Sequence, residues 1–297
     1  MPELADWQYD IGGVVIGAGT SVQVRETAGF GRPPVRDSDV DQPSSDGQFA
    51  GPDYWSGRQV QIDAAIKIPG DAAACHDMVA NLEAATDASS VRLVAGQGMP
   101  FRVKRPGRPV KRLTVRTRRL APEYRQVIHG YVPLDMEFLA HDPTWYADEE
   151  STTEIPLGWL TGGGFAAPVT APIFVQSGTT AADRPGWVHN AGSADTWPVI
   201  RITGPCANVT VIHVPTGRTL ALPTLNLDAG QWVEIDTRPG YRTVTRENGG
   251  NANYLSPASR IDLFSLPPGT SEMRWTAFDS TNTARLRMTW RDAYTAL

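Results

Sequence analysis

The stretch GGVVIGAGTSV at residues 12–22 is the first place where residue type and spacing point to chemistry. An apolar run ending in Gly17-Ala18-Gly19 is how a dinucleotide-binding unit often begins, with backbone N–H groups at a helix N-terminus receiving a pyrophosphate. Such a site needs a third glycine and then a helix. Val22 stands at the third position, and the following VQVRETAGFGRPP carries β-branched residues, two glycines and paired prolines, so no helix starts there. Downstream there is no alternation of strand and helix to build a parallel sheet. The stretch reads instead as a strand, a glycine turn at residues 17–19 and a returning strand over residues 21–26.

Other reactive side chains lack the spacing that catalysis or metal binding requires. The five histidines (His76, His129, His141, His189, His213) form neither H-E-x-x-H nor an i, i+4 pair. No G-x-S-x-G elbow is present. Cys75 and Cys206 lie far apart, so neither a zinc site nor a disulfide framework is indicated. Carboxylates such as Asp262 and Asp279 read as solvated strand or loop residues. The expectation is a protein without enzymatic activity, cofactor or metal.

Two charged segments point to contacts. Residues 102–125 carry ten positive charges and one acid, Glu123. Lys104, Arg105, Lys111, Arg112, Arg116, Arg118 and Arg119 join Arg102 in this run. It can meet phosphates, but no aromatic is interleaved before Tyr124, so a stacking platform for single strands is missing. Pairing with an acidic surface on another subunit is the favoured reading, and residues 142–154, with Asp148, Glu149 and Glu150, offer one. Residues 31–57 hold four prolines and little apolar content. They are either disordered or an arm used for contact, with Pro33, Pro34, Asp37, Asp39 and Asp41 as candidate arm residues. Nine tryptophans fill cores or stack on sugars. Trp232 and Trp290 sit in strand patterns and read as core, whereas Trp187 and Trp197 lie beside loops and are candidate glycan contacts.

The elements that position these residues are mostly strands. Residues 59–68 alternate, with Val60, Ile62, Ala64, Ile66 and Ile68 on one face. Residues 110–117 alternate with one slip of phase, and residues 127–139 form an extended apolar stretch around Pro133. A single helix is expected, capped by Asp71, with Cys75, Met78, Val79 and Leu82 on its apolar face and its end near Thr86. Beyond residue 196, about eight short strands follow, residues 261–264 among them, separated by Gly, Pro and Asn-Gly turns; a hairpin turn is expected at Pro215-Thr216-Gly217. The 297 residues allow two domains, and the net charge of −5 demands neither nucleic acid nor membrane. Only three of the 27 basic residues are lysine; this reflects either bidentate contacts or genome composition. The polar start and the lack of a long apolar run suggest a soluble protein made in the cytoplasm.

The order of motifs is similar to that of distal tail proteins, the baseplate-hub component of phages with long, non-contractile tails. In the second half these are N-x-G at Asn190 and Gly192, PVIRITGP at residues 198–205, the Thr216-Gly217 turn, DAGQ at 228–231, IDTRPG at 235–240 and LPPG at 266–269. In the first half they are IGGVVIGAGT, VRDSDVD around Asp39, GRQV at 57–60 and HDPTWY at 141–146. The resemblance implies a mainly β chain: a barrel-like belt domain with one helix over residues 1–152, then a galectin-like sandwich over 153–297 with an irregular connector at about 153–196. It implies a homo-hexameric ring in the virion, at the tail tip, between the major tail tube protein and the tip. Its partners would be the tape-measure protein, a tail-tip hub or tail-associated protein, and receptor-binding proteins, with DNA passing only transiently through an axial channel. An adhesion module contacting host carbohydrate through Trp187 or Trp197 is the competing reading.

Overall fold

The computed structural model describes residues 2–157, 186–250 and 254–297. Two compact units divide the chain: Met1–Asp148 with Tyr294–Leu297, and Glu149–Ala293. The Gly162-Gly163-Gly164 triplet and Trp159 lie outside the described residues.

In the first unit the strands are β1 (Gln8–Ile11), β2 (Val14–Gly17), β3 (Val22–Ala28), four two-residue strands β4 (Val35–Arg36), β5 (Val40–Asp41), β6 (Gln48–Phe49) and β7 (Tyr54–Trp55), then β8 (Arg58–Lys67), β9 (Met99–Val103), β10 (Lys111–Pro122), β11 (Tyr131–Ala140) and β12 (Trp145–Ala147). Helices α1 (Ala72–Thr86) and α2 (Ser89–Arg92) separate β8 from β9. The main sheet follows the path β2-β1-β9-β10-β11-β8-β3. Strand β10 is long enough to serve two neighbours in turn: Lys111 to Val115 pair with β9, and residues from Arg116 onward pair with β11.

Local sequence accounts for these elements. In β8, Val60, Ile62, Ala64 and Ile66 all turn inward, as alternation requires. Asp71 accepts a hydrogen bond from the Ala74 N–H at 2.8 Å and so caps α1, whose Cys75, Val79 and Leu82 are buried. The glycine turn after β2 is present, but the strand that follows does not return alongside it: β2 pairs with β1, whereas β3 pairs with β8 at the far end of the sheet path. At Gly17 φ is 110°, a left-handed value that any other residue would adopt under strain. Residues 127–129 also depart from expectation. They close a 3-10 turn (Tyr124–His129), and the strand begins only at Tyr131 after the left-handed Gly130.

The second unit contains β13 (Ser151–Pro156), β14 (Trp187–Asn190), β15 (Val199–Thr203), β16 (Cys206–His213), β17 (Arg218–Leu227), β18 (Trp232–Asp236), β19 (Thr243–Arg246), β20 (Gly269–Phe278) and β21 (Arg285–Trp290); β22 (Ala293–Tyr294) leads back to the first. Two sheets, β13-β21-β15-β18-β19 and β14-β20-β16-β17, enclose one apolar core that includes Ile200, Val211, Leu220, Trp275 and Met288. The Trp275 indole donates to the Ile155 carbonyl at 3.1 Å and ties one sheet to the other. β16 and β17 form the hairpin across Pro215-Thr216-Gly217. Residues 261–263 are a 3-10 turn rather than a strand, placing Phe264 in the core.

Trp290 is buried as expected, but Trp232 is not core. It shares a face with Arg201 and Glu234, opposite the inward Val233 and Ile235. The Arg201 guanidinium lies 4.2 Å from the centre of its ring.

Candidate subunit and partner interfaces

The basic run separates into an inward and an outward set. Strand β9 turns Arg102 into the first unit, where only 5% of it is exposed. Its guanidinium donates to Asp10 Oδ2 at 2.9 Å, to Asp148 Oδ2 at 2.6 Å and to the Pro2 carbonyl at 2.8 Å. Burial works against its charge, but Asp148 and then Asp10 hold its pKa above the usual arginine value. Lys111 is buried too, its ammonium donating to the Ala296 carbonyl at 2.9 Å and standing 4.0 Å from the centre of the Tyr294 ring. Burial, and then Arg108, push its pKa down. Arg102, Lys111 and Asp148 are thus engaged inside their own unit, not presented to a neighbour. Glu149 and Glu150 are exposed in the second unit, with Glu150 3.8 Å from Arg291.

The outward set begins with Lys104, which donates to the Arg108 carbonyl at 2.7 Å, and Arg105, which stacks 4.9 Å from the Trp7 ring. Arg112 is half-buried, 3.9 Å from Asp148. Further along β10 a bulge interrupts the pairing with β11 between Thr117 and Arg119. The extra residue breaks alternation, so that Arg118 and Arg119 are both exposed. Arg116 donates to the carbonyls of Gln97 and Val94. With Arg92, these three arginines line a cleft of about 370 Å³ that also includes Glu83 and Asp87. The His141 pKa is lowered by burial, and then by Arg118 and Arg116, which registers the positive field there.

Residues 31–57 are an ordered arm between β3 and β8. β4 pairs with β7, and β5 pairs with β6 nearer the tip. Arg32 lies 4.4 Å from the Trp55 ring and Arg36 5.7 Å from the Tyr54 ring. Buried Arg58 fixes the root: it donates to Pro143 O at 2.9 Å, to Gly29 O at 3.0 Å and to Gly31 O. Phe30, beside them, packs 5.7 Å from Trp145. Val40 and Phe49 face each other across the tip ladder, 62% and 60% exposed. Pro33, Pro34, Asp37, Asp39 and Asp41 all lie on this arm, with Asp39 accepting from the Gly51 N–H and Asp41 from the Gln48 amide.

Trp187 is exposed on β14, and Trp197 is half-buried. Among the described residues no three His, Cys, Asp or Glu side chains group as metal ligands. Both cysteines are buried free thiols, and burial pushes that of Cys206 up to about 11.

The motifs of the second unit turn out to be folding devices. Asn190 is buried and uses its whole amide: its oxygen accepts from Gly192 N and Ala293 N, and its nitrogen donates to Ala194 O and Leu266 O. Gly192 packs so closely on the Ala293 backbone that a Cβ would collide with it. Asp236 accepts from the Arg238 N–H and guanidinium, and Thr237 donates to Pro198 O at 2.7 Å.

Comparison with known proteins agrees with this architecture. Residues 191–294 match the family described as siphovirus-type tail component, C-terminal domain. No curated protein sequence matches the chain. Among solved structures the Dit protein of phage SPP1, described as a paradigm of the hub adsorption apparatus in phages infecting Gram-positive bacteria, is 14% identical, with a TM-score of 0.61 over 96% of this chain and 98% of its own. A chain of the phage P2 baseplate in its activated conformation with Ca is 11% identical, with a TM-score of 0.55 over 95% and 97%; the Sr form gives the same values. Residues 191–294 thus match the siphovirus-type tail component family, and the chain as a whole has a fold similar to that of the SPP1 Dit protein.

Proposed function

We propose that the chain is a structural hub protein of a phage tail: six copies form a ring that joins the tail tube to the tail tip. The observation that carries this reading is the match of two-unit fold along 96% of the chain to a hub protein, together with the family match in residues 191–294. The first unit makes the ring and meets the major tail tube protein. The second is the platform for a tail-tip hub or tail-associated protein and for receptor-binding proteins. DNA and the tape-measure protein use the axial opening, and assembly takes place in the host cytoplasm. A cyclic ring needs two different complementary surfaces on each copy. The first unit offers an exposed arm and an arginine-lined cleft as candidates. In this reading the protein holds other components in place and catalyses nothing.

Negative-stain imaging of the purified chain, alone and with tail tubes, tests the proposal. Six-fold particles with a central hole, bound at one end of the tubes, are expected. Tubes whose ends stay bare would overturn it. Glycan adhesion through Trp187 or Trp197 is the competing reading, and an array signal lost in Trp187→Ala or Trp197→Ala would favour it instead.

A further inference from the structure

The arm and the cleft complement one another in charge and in apolar character. Residues 37–53 of the arm contain five aspartates (Asp37, Asp39, Asp41, Asp46, Asp53) and no lysine or arginine. Among the described residues none of the five is shown in an ion pair, while the arginines of the arm root, Arg32 and Arg36, cover Trp55 and Tyr54. The arm tip is therefore an acidic loop around an uncovered apolar pair, Val40 and Phe49. Exposed apolar side chains facing each other on a projecting hairpin are a surface that association covers.

At the cleft the pattern is reversed. Arg92 and Arg119 are paired with Asp87 and Asp135, whereas Arg116 is held by two carbonyls and Arg118 projects beside it from the bulge. Next to them Leu93 and Val94 are 70% and 47% exposed, an apolar lip whose Val94 carbonyl is the one that receives Arg116. Of the acids that the sequence offered as partners for these arginines, Asp148 is engaged with Arg102, Asp142 with Tyr146 and the Thr144 N–H, and Glu150 lies 3.8 Å from Arg291, while Glu149 is exposed in the second unit. The arm is an acidic surface of the first unit that also carries uncovered apolar side chains.

We infer that the arm tip of one copy docks in the cleft of the next, with Asp39 and Asp41 facing Arg116 and Arg118, and with Val40 and Phe49 against Leu93 and Val94. The inference rests on the ring reading and names the two halves of its heterologous contact. Arm and cleft are different surfaces, so the contact repeats from copy to copy. Arg58 acts as a positioning residue, because it holds the root from which the arm is aimed.

The test is a disulfide trap in the full chain. Both native cysteines are buried, so the double variant Phe49→Cys with Leu93→Cys carries its only exposed thiols at the two proposed contact points. Mild oxidation should give a reducible ladder of covalent multimers on a denaturing gel, while each single variant stops at dimers. Light scattering on the unmodified protein is read in parallel. Ring mass without a ladder overturns the arm-and-cleft contact and leaves the ring standing; monomer mass without a ladder, persisting when tail tubes are added, overturns both. As a second readout, Arg118→Asp with Arg116→Asp should reduce the ring to monomers, and adding Asp39→Arg with Asp41→Arg should restore it. Unchanged rings in the first pair, with circular dichroism intact, would also overturn the contact.

Discussion

Asn190 makes four hydrogen bonds from a site that is 2% exposed, linking β14, the turn after it, the segment before β20 and the last residue of the second unit. Asn190→Ala removes the side-chain partner of two N–H groups and two carbonyls, of which Leu266 O keeps the Thr196 N–H. Such a loss costs on the order of 3 kcal/mol, and chemical denaturation should show it in the second unit. His213 gives a pH signature. It is buried, bonded through Nδ1 to Thr216 Oγ1 at 2.6 Å, and among the described residues its Nε2 has no hydrogen-bond partner. Burial, and then Arg218, push its pKa below 6.5, with Asp195 opposing weakly. The folded imidazole stays neutral while the unfolded one takes up a proton, so this contribution to stability is complete above pH 6.5 and declines as pH falls below it. Denaturation midpoints at pH 7 and pH 5 should differ more for the native chain than for His213→Gln. Equal differences would exclude His213 as the source.

The bulge in β10 and the root of the arm are where elements set up the contacts. Among the described residues Arg58 has no carboxylate partner; it donates to three backbone carbonyls, and a lysine cannot reach all three from one nitrogen. Arg58→Lys should therefore keep the sheet but loosen the arm, with cleavage of residues 31–57 in limited proteolysis accelerated about tenfold, equivalent to roughly 1.4 kcal/mol. An unchanged cleavage rate would show that Phe30 alone anchors the root. Strands such as β8 and the capped helix α1 were legible because their periodicity and capping signals are local. The arm ladders were not, since pairs of two residues carry no period. Nor was the bulge, which is defined by its neighbour β11. In β10, the apparent slip of phase arises because Lys111, not Val110, takes the inward position beside Leu113 and Val115. Its partners Tyr294 and Ala296 lie far along the chain, Ala296 185 residues away. Arg102 was misjudged for the same reason, its acids being at positions 10 and 148.

For the whole molecule, resemblance carried what local chemistry could not. The motif residues of the second unit, Asn190, Asp236 and Thr237 among them, close turns and tie the sandwich together, whereas the first-half motif around Asp39 lies on the exposed arm. If the arginine cleft is a subunit interface, ring assembly depends on exposed charges and weakens with salt. The apolar half of the proposed contact should keep part of the association at high salt. The most direct measurement is the absolute mass of the full chain by light scattering across a concentration series. A species at six times the 32.2 kDa chain mass, dissociating as salt is raised, is the predicted result. A monomer at every concentration, still monomeric and unbound when tail tubes are added, would contradict the hub account.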